Sequence, residues 1–137
     1  MSEVSQAGVS PNCYALNRTR QRYLATDLAV AQTHLSRLRG LIGMAEARFA
    51  QGQGLWLVPS HGIHTFGMRF PLDIVYLDHS KVVVYAQQDV KPWRLAPVRR
   101  NAASVLELPR HTIRDTGTLL GDEIDISTGK LAGKITT

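Results

Sequence analysis

The chain has 137 residues, of which 44% are hydrophobic and 20% charged, a composition typical of globular domains that excludes a disordered chain. Its single cysteine, Cys13, excludes an internal disulfide and a thiolate zinc site built by one chain. The first residues lack a basic and apolar leader, and no apolar run approaches the roughly 20 residues of a membrane span. We therefore expect a cytoplasmic protein with no membrane partner.

The formal net charge of +5 comes mainly from arginines spread along the chain, with the tightest clusters at 18–22 and 94–100. This excess of positive charge favours anionic partners and is compatible with nucleic-acid binding. However, the sequence has no zinc-finger spacing and no aromatic set of the kind that RNA-binding sheets carry. Nucleic-acid binding through the scattered arginines is therefore an alternative that we do not favour over a solvated basic surface.

Taken in order, the chain predicts a flexible lead-in at 1–11, a single domain at 12–126 and a loose tail at 127–137. Within the domain, short apolar or alternating runs end at glycine, proline or other turn residues, which is typical of strands. The predicted strands are 13–17, 22–31, 55–58, 72–77, 81–87, 102–108 and 123–126. A hairpin turn is expected at 78–80, a long connection at 89–101 and a turn region at 112–121.

One helix is predicted, from an N-cap at Thr33 through about Ile42, because leucines recur there at helical spacing and Gly43 follows. Several short strands with one principal helix indicate an α+β, mainly β domain, built as a β-sandwich or barrel.

The stretch from Leu55 to Asp78 combines apolar strand residues with histidines, an arginine and aspartates, which are costly to bury without partners. If 63–73 is extended, alternate residues face the core, namely His64, Phe66, Met68, Phe70 and Leu72. The other face is then a polar groove formed by Thr65, Gly67, Arg69, Pro71 and Asp73. Arg69 and Asp73 lie roughly 13 Å apart along such a strand, so each needs a ligand or a partner on a neighbouring strand.

His61 and His64 could share a metal ion, but no third ligand stands at a standard spacing, so we expect no metal and no cofactor. The simpler interpretation is that backbone groups satisfy a half-buried His64. A hydrolase with His64 as general base and Asp73 as its orienting group is an alternative. The nucleophile-elbow pattern is absent, and no catalytic residue is assigned.

Two further features complete the candidate site. Glu107 lies among Val105, Leu106 and Leu108, so its carboxylate needs a cation or several hydrogen-bond donors; Arg69 is the first choice of cation and Arg94 the second. The segment KPWR at 91–94 places an aromatic ring between two cations. This combination is suited to binding a sugar, a base or an anion, although a tryptophan there could instead cover the hydrophobic core.

Five segments together resemble the domain-of-unknown-function 192 family: RLRGLIG at 37–43, GLWLVPS at 54–60, IHTFGMRFPLDIVYLD at 63–78, KPWR at 91–94 and VLELP at 105–109. The resemblance covers about 12–126 and implies a mainly antiparallel β fold of sandwich or jelly-roll type, with no settled activity. Two positions depart from the family pattern. Ser60 replaces a cysteine that many relatives carry, and Ser80-Lys81 replaces a glycine turn.

We therefore predict an antiparallel β-sandwich or barrel of jelly-roll type that binds a small anionic or sugar-like ligand, or a partner, at the polar groove. The alternatives are the hydrolase and the nucleic-acid binder. The sequence determines neither the ligand nor the oligomeric state. The candidate ligand-binding residues are His64, Thr65, Arg69, Asp73, Lys91, Trp93, Arg94 and Glu107.

Overall fold

A computed structural model describes residues 13–31, 49–62 and 70–127. Seven strands and one short helix lie within these ranges. They are β1 (Cys13–Asn17), β2 (Arg22–Ala31), β3 (Gln53–Leu57), β4 (Leu72–Leu77), β5 (Val83–Val90), β6 (Ser104–Pro109), α1 (Thr112–Thr116) and β7 (Ile124–Ser127).

All seven strands belong to one sheet in the order β5-β4-β6-β3-β2-β1-β7. Neighbours are antiparallel except β2 and β3, which run parallel with Leu28 beside Gly54. The sheet curls until its two edge strands approach each other at an isolated bridge between Val82 and Glu123. The result is a half-barrel with a mixed sheet.

Each face of the curled sheet carries its own apolar cluster. The cluster on the concave face draws from strands at both ends of the sheet, which only the inside of a curl can bring together. Its members include Cys13, Leu24, Leu28, Val75, Val83, Leu106, Leu108 and Ile124. The cluster on the convex face includes Phe49, Leu55, Leu57, Phe70, Leu72, Ile74, Tyr76, Ala96, Ala102 and Val105. Connecting segments contribute to the convex cluster, and one of these segments carries several of the predicted site residues.

That segment, residues 91–103, is called the crossing loop below. Strands β5 and β6 both pair antiparallel with β4, so β5 and β6 point the same way. The chain between them must therefore return along the length of a strand. The loop therefore runs over the convex face, where Ala96 and Ala102 are buried. The Tyr76 hydroxyl donates a 2.6 Å hydrogen bond to the Pro97 carbonyl and ties the middle of the loop to β4.

The mainly β prediction is confirmed, and each predicted strand is present with its ends displaced by a few residues at most. The expectation of a purely antiparallel sheet is wrong at β2 and β3, because the long connection at 32–52 can carry the chain back and allow a parallel pair. The half-barrel does not support the sandwich or jelly-roll detail. The helix predicted at 33–42, the lead-in and most of the tail lie outside the described residues.

The region 112–121, predicted as a turn, begins with helix α1. His111 precedes the helix in a left-handed conformation and makes no side-chain cap, while Gly117 ends it with φ of 72°. A side chain on β4 caps the first turn of the helix instead, since the Ile113 N–H donates to Asp73 Oδ2 at 2.8 Å. A cap 40 positions away leaves no local pattern, which is why the sequence did not predict this helix.

In the ranges that the structure describes, no helix has the length and apolarity needed to cross a membrane.

Candidate functional site

The eight predicted site residues fall into three groups. His64, Thr65 and Arg69 lie outside the described residues. Asp73 and Glu107 sit on adjacent strands, β4 and β6, but face opposite sides of the sheet, since Asp73 pairs in register with Leu108 and Glu107 with Ile74. Lys91, Trp93 and Arg94 lie on the crossing loop. The described part of the predicted set is therefore divided between the two faces and the loop.

Asp73 is completely buried, and backbone groups use both of its carboxylate oxygens. The Asp89 N–H donates to Oδ1 at 2.9 Å, and the Ile113 N–H donates to Oδ2 at 2.8 Å. The side chain thus links β4 to the end of β5 and to the first turn of α1. Asp73 thus accepts one buried and one partly buried backbone hydrogen bond, which is a structural role.

Glu107 is 7% exposed on the convex face, beside Leu55 in β3 and Ile74 in β4. The predicted burial of this residue in a core strand is confirmed. A carboxylate at such a position requires donors or a cation. Its pairing with Arg69 remains a prediction, because Arg69 lies outside the described residues, although its neighbour Phe70 belongs to the same convex cluster.

The KPWR segment at the start of the crossing loop is exposed. Trp93 is 64% exposed and adopts a left-handed backbone conformation with φ of 63°. Lys91 and Arg94 are also exposed. The interpretation of Trp93 as a lid on the core is therefore wrong. An exposed aromatic residue next in sequence to exposed cations is compatible with a binding surface.

Sequence reasoning missed a third cation of the loop, Arg99. Its guanidinium carbon lies 4.8 Å from the centre of the Tyr85 ring, and Tyr85 in turn packs on Tyr76 with ring centres 4.9 Å apart. The Arg99 N–H donates to the His61 carbonyl at 2.9 Å, so the backbone at this position is also held. An exposed guanidinium supported by a ring loses little freedom when it binds an anion. Only the basic cluster at 94–100 pointed to this residue, because Tyr85 is distant in sequence.

The turn at 59–62 fastens the second half of the crossing loop. His61 Nδ1 lies 2.6 Å from the Ala102 carbonyl, and the Ser60 N–H donates to the Ala103 carbonyl at 2.9 Å. A Cβ on Gly62 would lie 2.9 Å from the Pro97 carbonyl oxygen, so only glycine permits this approach. Ser60 is buried, and its hydroxyl donates to the Gly62 carbonyl at 2.7 Å.

A separate polar cluster lies where the edges of the sheet meet. Asp122 is 2% exposed and accepts hydrogen bonds from Asn17 Nδ2 at 3.0 Å, from Arg20 Nε at 2.9 Å and from the Leu119 N–H at 2.9 Å. Burial on its own would raise the pKa of the Asp122 carboxyl. The bonds from Arg20, Asn17 and Leu119, together with the Arg20 charge, outweigh burial and lower that pKa. The cluster joins the β1–β2 hairpin to the turn before β7 and has a structural role.

Within the described ranges, no three histidine, cysteine or acidic side chains come together in a way that could hold a metal ion. Cys13 is buried in the concave cluster, and burial raises the pKa of its thiol. Raising that pKa keeps the sulfur protonated and therefore poorly nucleophilic.

Comparison with known proteins relates this architecture to an uncharacterised group. The model of the domain-of-unknown-function 192 family, described as an uncharacterised ACR, matches residues 15–126. A UPF0127 protein of Thermococcus sibiricus is 29% identical over 115 residues, which span 80% of this chain and 72% of the relative. A second UPF0127 protein, from Thermococcus kodakarensis, is 29% identical over 114 residues, spanning 80% and 70% of the two chains.

Two solved structures share the fold. One is a candidate transcription regulator from Sinorhizobium meliloti, with a TM-score of 0.69 and 20% identity over 93% of this chain and 100% of that one. The other is a protein of unknown function from Novosphingobium aromaticivorans, with a TM-score of 0.65 and 15% identity over 90% of this chain and 99% of that one. At these identities the likeness concerns the fold alone.

Proposed function

The chain belongs to the domain-of-unknown-function 192 family, and from that premise we propose that it is a binding module that takes a small anionic or sugar-like ligand on its crossing loop. The binding residues are Lys91, Trp93, Arg94 and Arg99. In this proposal Trp93 stacks on the flat or apolar part of the ligand while the cations hold its phosphate or carboxylate.

One observation carries the proposal, namely the guanidinium of Arg99 at 4.8 Å from the Tyr85 ring centre in an exposed position. An arginine in open solvent samples many rotamers, and ordering it on binding costs about 1 kcal/mol or more. The Tyr85 ring and the Arg99–His61 backbone bond remove part of that cost in advance. A long cationic side chain held in this way is suited to recognising an anion.

The hydrolase alternative finds less support. It requires Asp73 to orient His64, but Asp73 is completely buried and each of its oxygens already accepts a backbone hydrogen bond. These contacts give the carboxylate a structural role.

The test is titration of the protein with glucose 6-phosphate and, separately, with glucose. Trp56→Phe leaves Trp93 as the only tryptophan, so its fluorescence then reports binding at the loop. We expect saturable binding of the phosphate sugar and a shift of the Trp93 emission. Arg99→Gln should weaken binding about tenfold or more, and Tyr85→Leu should weaken it less because the charge remains.

Two matched variants serve as controls. Tyr85→Phe keeps the ring and should preserve affinity, and Arg114→Gln removes an exposed cation on α1 that already pairs with Asp115 at 3.0 Å. Equal losses in Arg99→Gln and Arg114→Gln would mean that only net charge matters and would overturn the proposal. Failure of glucose 6-phosphate to bind would do the same. Strong binding to a DNA duplex with a steep salt dependence would favour nucleic acid instead.

A further inference from the structure

The crossing loop also exposes two apolar side chains, Leu95 and Val98, that the proposed small ligand does not use. Leu95 and Val98 are each 74% exposed, and Trp93 is 64% exposed. Among the large apolar side chains that the described ranges leave exposed, these three lie within six positions of one another. Apolar groups clustered on one loop indicate a surface that is covered by a larger partner.

All charged side chains of the crossing loop are cations. Residues 91–103 contain Lys91, Arg94, Arg99 and Arg100 and no acidic residue. Such a surface complements a negatively charged partner, and its cations stand next to the apolar side chains in sequence. The partner must therefore present acidic and apolar groups together.

The side-chain types distinguish between the possible occupants. Three of the four cations are arginines, and they accompany a tryptophan. Tryptophan and arginine are enriched at the energetic centres of protein interfaces, where lysine is depleted, and the guanidinium fork matches a carboxylate in a bidentate manner. Attraction to a lipid surface is satisfied equally well by lysine. The composition thus favours protein carboxylates.

The loop is also held in place, as a docking surface needs. Tyr76 bonds the Pro97 carbonyl at 2.6 Å, Arg99 bonds the His61 carbonyl at 2.9 Å, and Ala96 is buried beneath the loop. Its exposed side chains therefore project from a fixed backbone, which lowers the entropy lost on binding.

We infer that the crossing loop docks an acidic segment of a protein partner that carries apolar side chains, with Leu95 and Val98 taking the apolar groups and Arg99 a carboxylate. This inference rests on the proposed function, because both use Arg99 and Trp93. It goes further by naming the occupant as a protein segment.

In the experiment, a library of displayed random peptides is selected for binding to the full chain. We expect the recovered peptides to be enriched in Asp and Glu together with Leu, Phe or other apolar residues. One recovered peptide is then labelled and measured by fluorescence anisotropy. The double variant Leu95→Ser/Val98→Ser should weaken it about tenfold or more, because both side chains lose burial against the peptide.

The chain offers a matched control, since Leu119 and Leu120 are also exposed, at 57% and 65%, but lie in another turn. The variant Leu119→Ser/Leu120→Ser should leave peptide affinity unchanged. Glucose 6-phosphate binding should be unchanged in Leu95→Ser/Val98→Ser, so the two proposals can fail separately. Loss of peptide binding without loss of sugar phosphate binding supports the docking role specifically.

Several outcomes would overturn the inference. These are the recovery of no peptides, the recovery of peptides without acidic enrichment, and equal effects of the two double-serine variants. Vesicles of phosphatidylcholine and phosphatidylserine form a parallel arm. If they bind the chain and Leu95→Ser/Val98→Ser abolishes that binding while peptide affinity stays the same, the occupant is a lipid surface and the inference is wrong.

Discussion

Replacing Asp122 by asparagine tests whether the polar cluster holds the edges of the sheet together. The change preserves size but removes the charge and one acceptor. In the native chain, Asp122 Oδ2 accepts from Asn17 Nδ2 at 3.0 Å, Arg20 Nε at 2.9 Å and the Leu119 N–H at 2.9 Å, while Oδ1 accepts from Arg20 Nη2 at 3.2 Å. The side-chain nitrogen of the new asparagine fits best at the Oδ1 position. Only the bond from Arg20 Nη2 is lost there, and the Arg20 side chain is partly exposed.

The magnitude follows from the three bonds to Oδ2 that remain. Those from Asn17 and from the Leu119 N–H change from charge-assisted to neutral, which weakens each by about 1 kcal/mol. The bond from Arg20 adds little, because that side chain is 38% exposed and solvent screens its charge. We therefore expect Asp122→Asn to lower the free energy of unfolding by about 2 kcal/mol. Asp122→Ala should cost more, about 3–5 kcal/mol, because the completely buried Asn17 amide then loses a partner.

The pH dependence has a definite sign. The pKa of Asp122 is lower in the folded chain, so its contribution is present in full above the unfolded value of about 3.9. It is lost as the pH falls further, through the folded pKa. The difference in stability between the native chain and Asp122→Asn should therefore be constant near neutral pH and shrink below about pH 4.

Urea denaturation across this pH range measures both effects. Asp115→Asn is the control, since that carboxylate is half exposed and paired with Arg114 on the surface, where such pairs contribute about 0–1 kcal/mol. A cost for Asp122→Asn no larger than that for Asp115→Asn would refute the role of the polar cluster. A stability difference from the native chain that does not change with acidification would refute the role of the charge.

The remaining predictions concern the two sheet faces and the loop. Asp73→Asn should cost about 1–3 kcal/mol in urea denaturation, since either the buried Ile113 N–H or the partly buried Asp89 N–H loses its acceptor; a neutral result would contradict the capping role. In a double-mutant cycle, Glu107→Gln and Arg69→Met should couple, each single change costing about 3–5 kcal/mol; additive effects would disprove the pairing. Gly62→Ala should cost about 1–3 kcal/mol, because its Cβ would meet the Pro97 carbonyl at 2.9 Å; an unchanged melting temperature would contradict this. Chelator should not lower the melting temperature, and a drop restored by zinc would contradict that expectation.

The strands were largely predictable because alternation and turn residues act locally. The runs 13–17, 22–31 and 72–77 coincide with β1, β2 and β4. The burial of Glu107 was predictable for the same reason, since its apolar neighbours identify a core strand. Backbone preference and side-chain periodicity are properties of a few consecutive residues, so one sequence is enough to determine them.

Pairings between distant residues were decided only by the tertiary structure. The Asp73 carboxylate caps a helix 40 positions away, and Asn17 reaches Asp122 across 105 positions. The stacking of Arg99 on Tyr85 exists only because β5 and β6 point the same way, which sends the crossing loop back over the convex face. A carboxylate or a guanidinium can pair with many different groups, and its own neighbours in sequence do not select among them. The curl of the sheet makes that selection by bringing particular side chains within hydrogen-bonding or stacking distance.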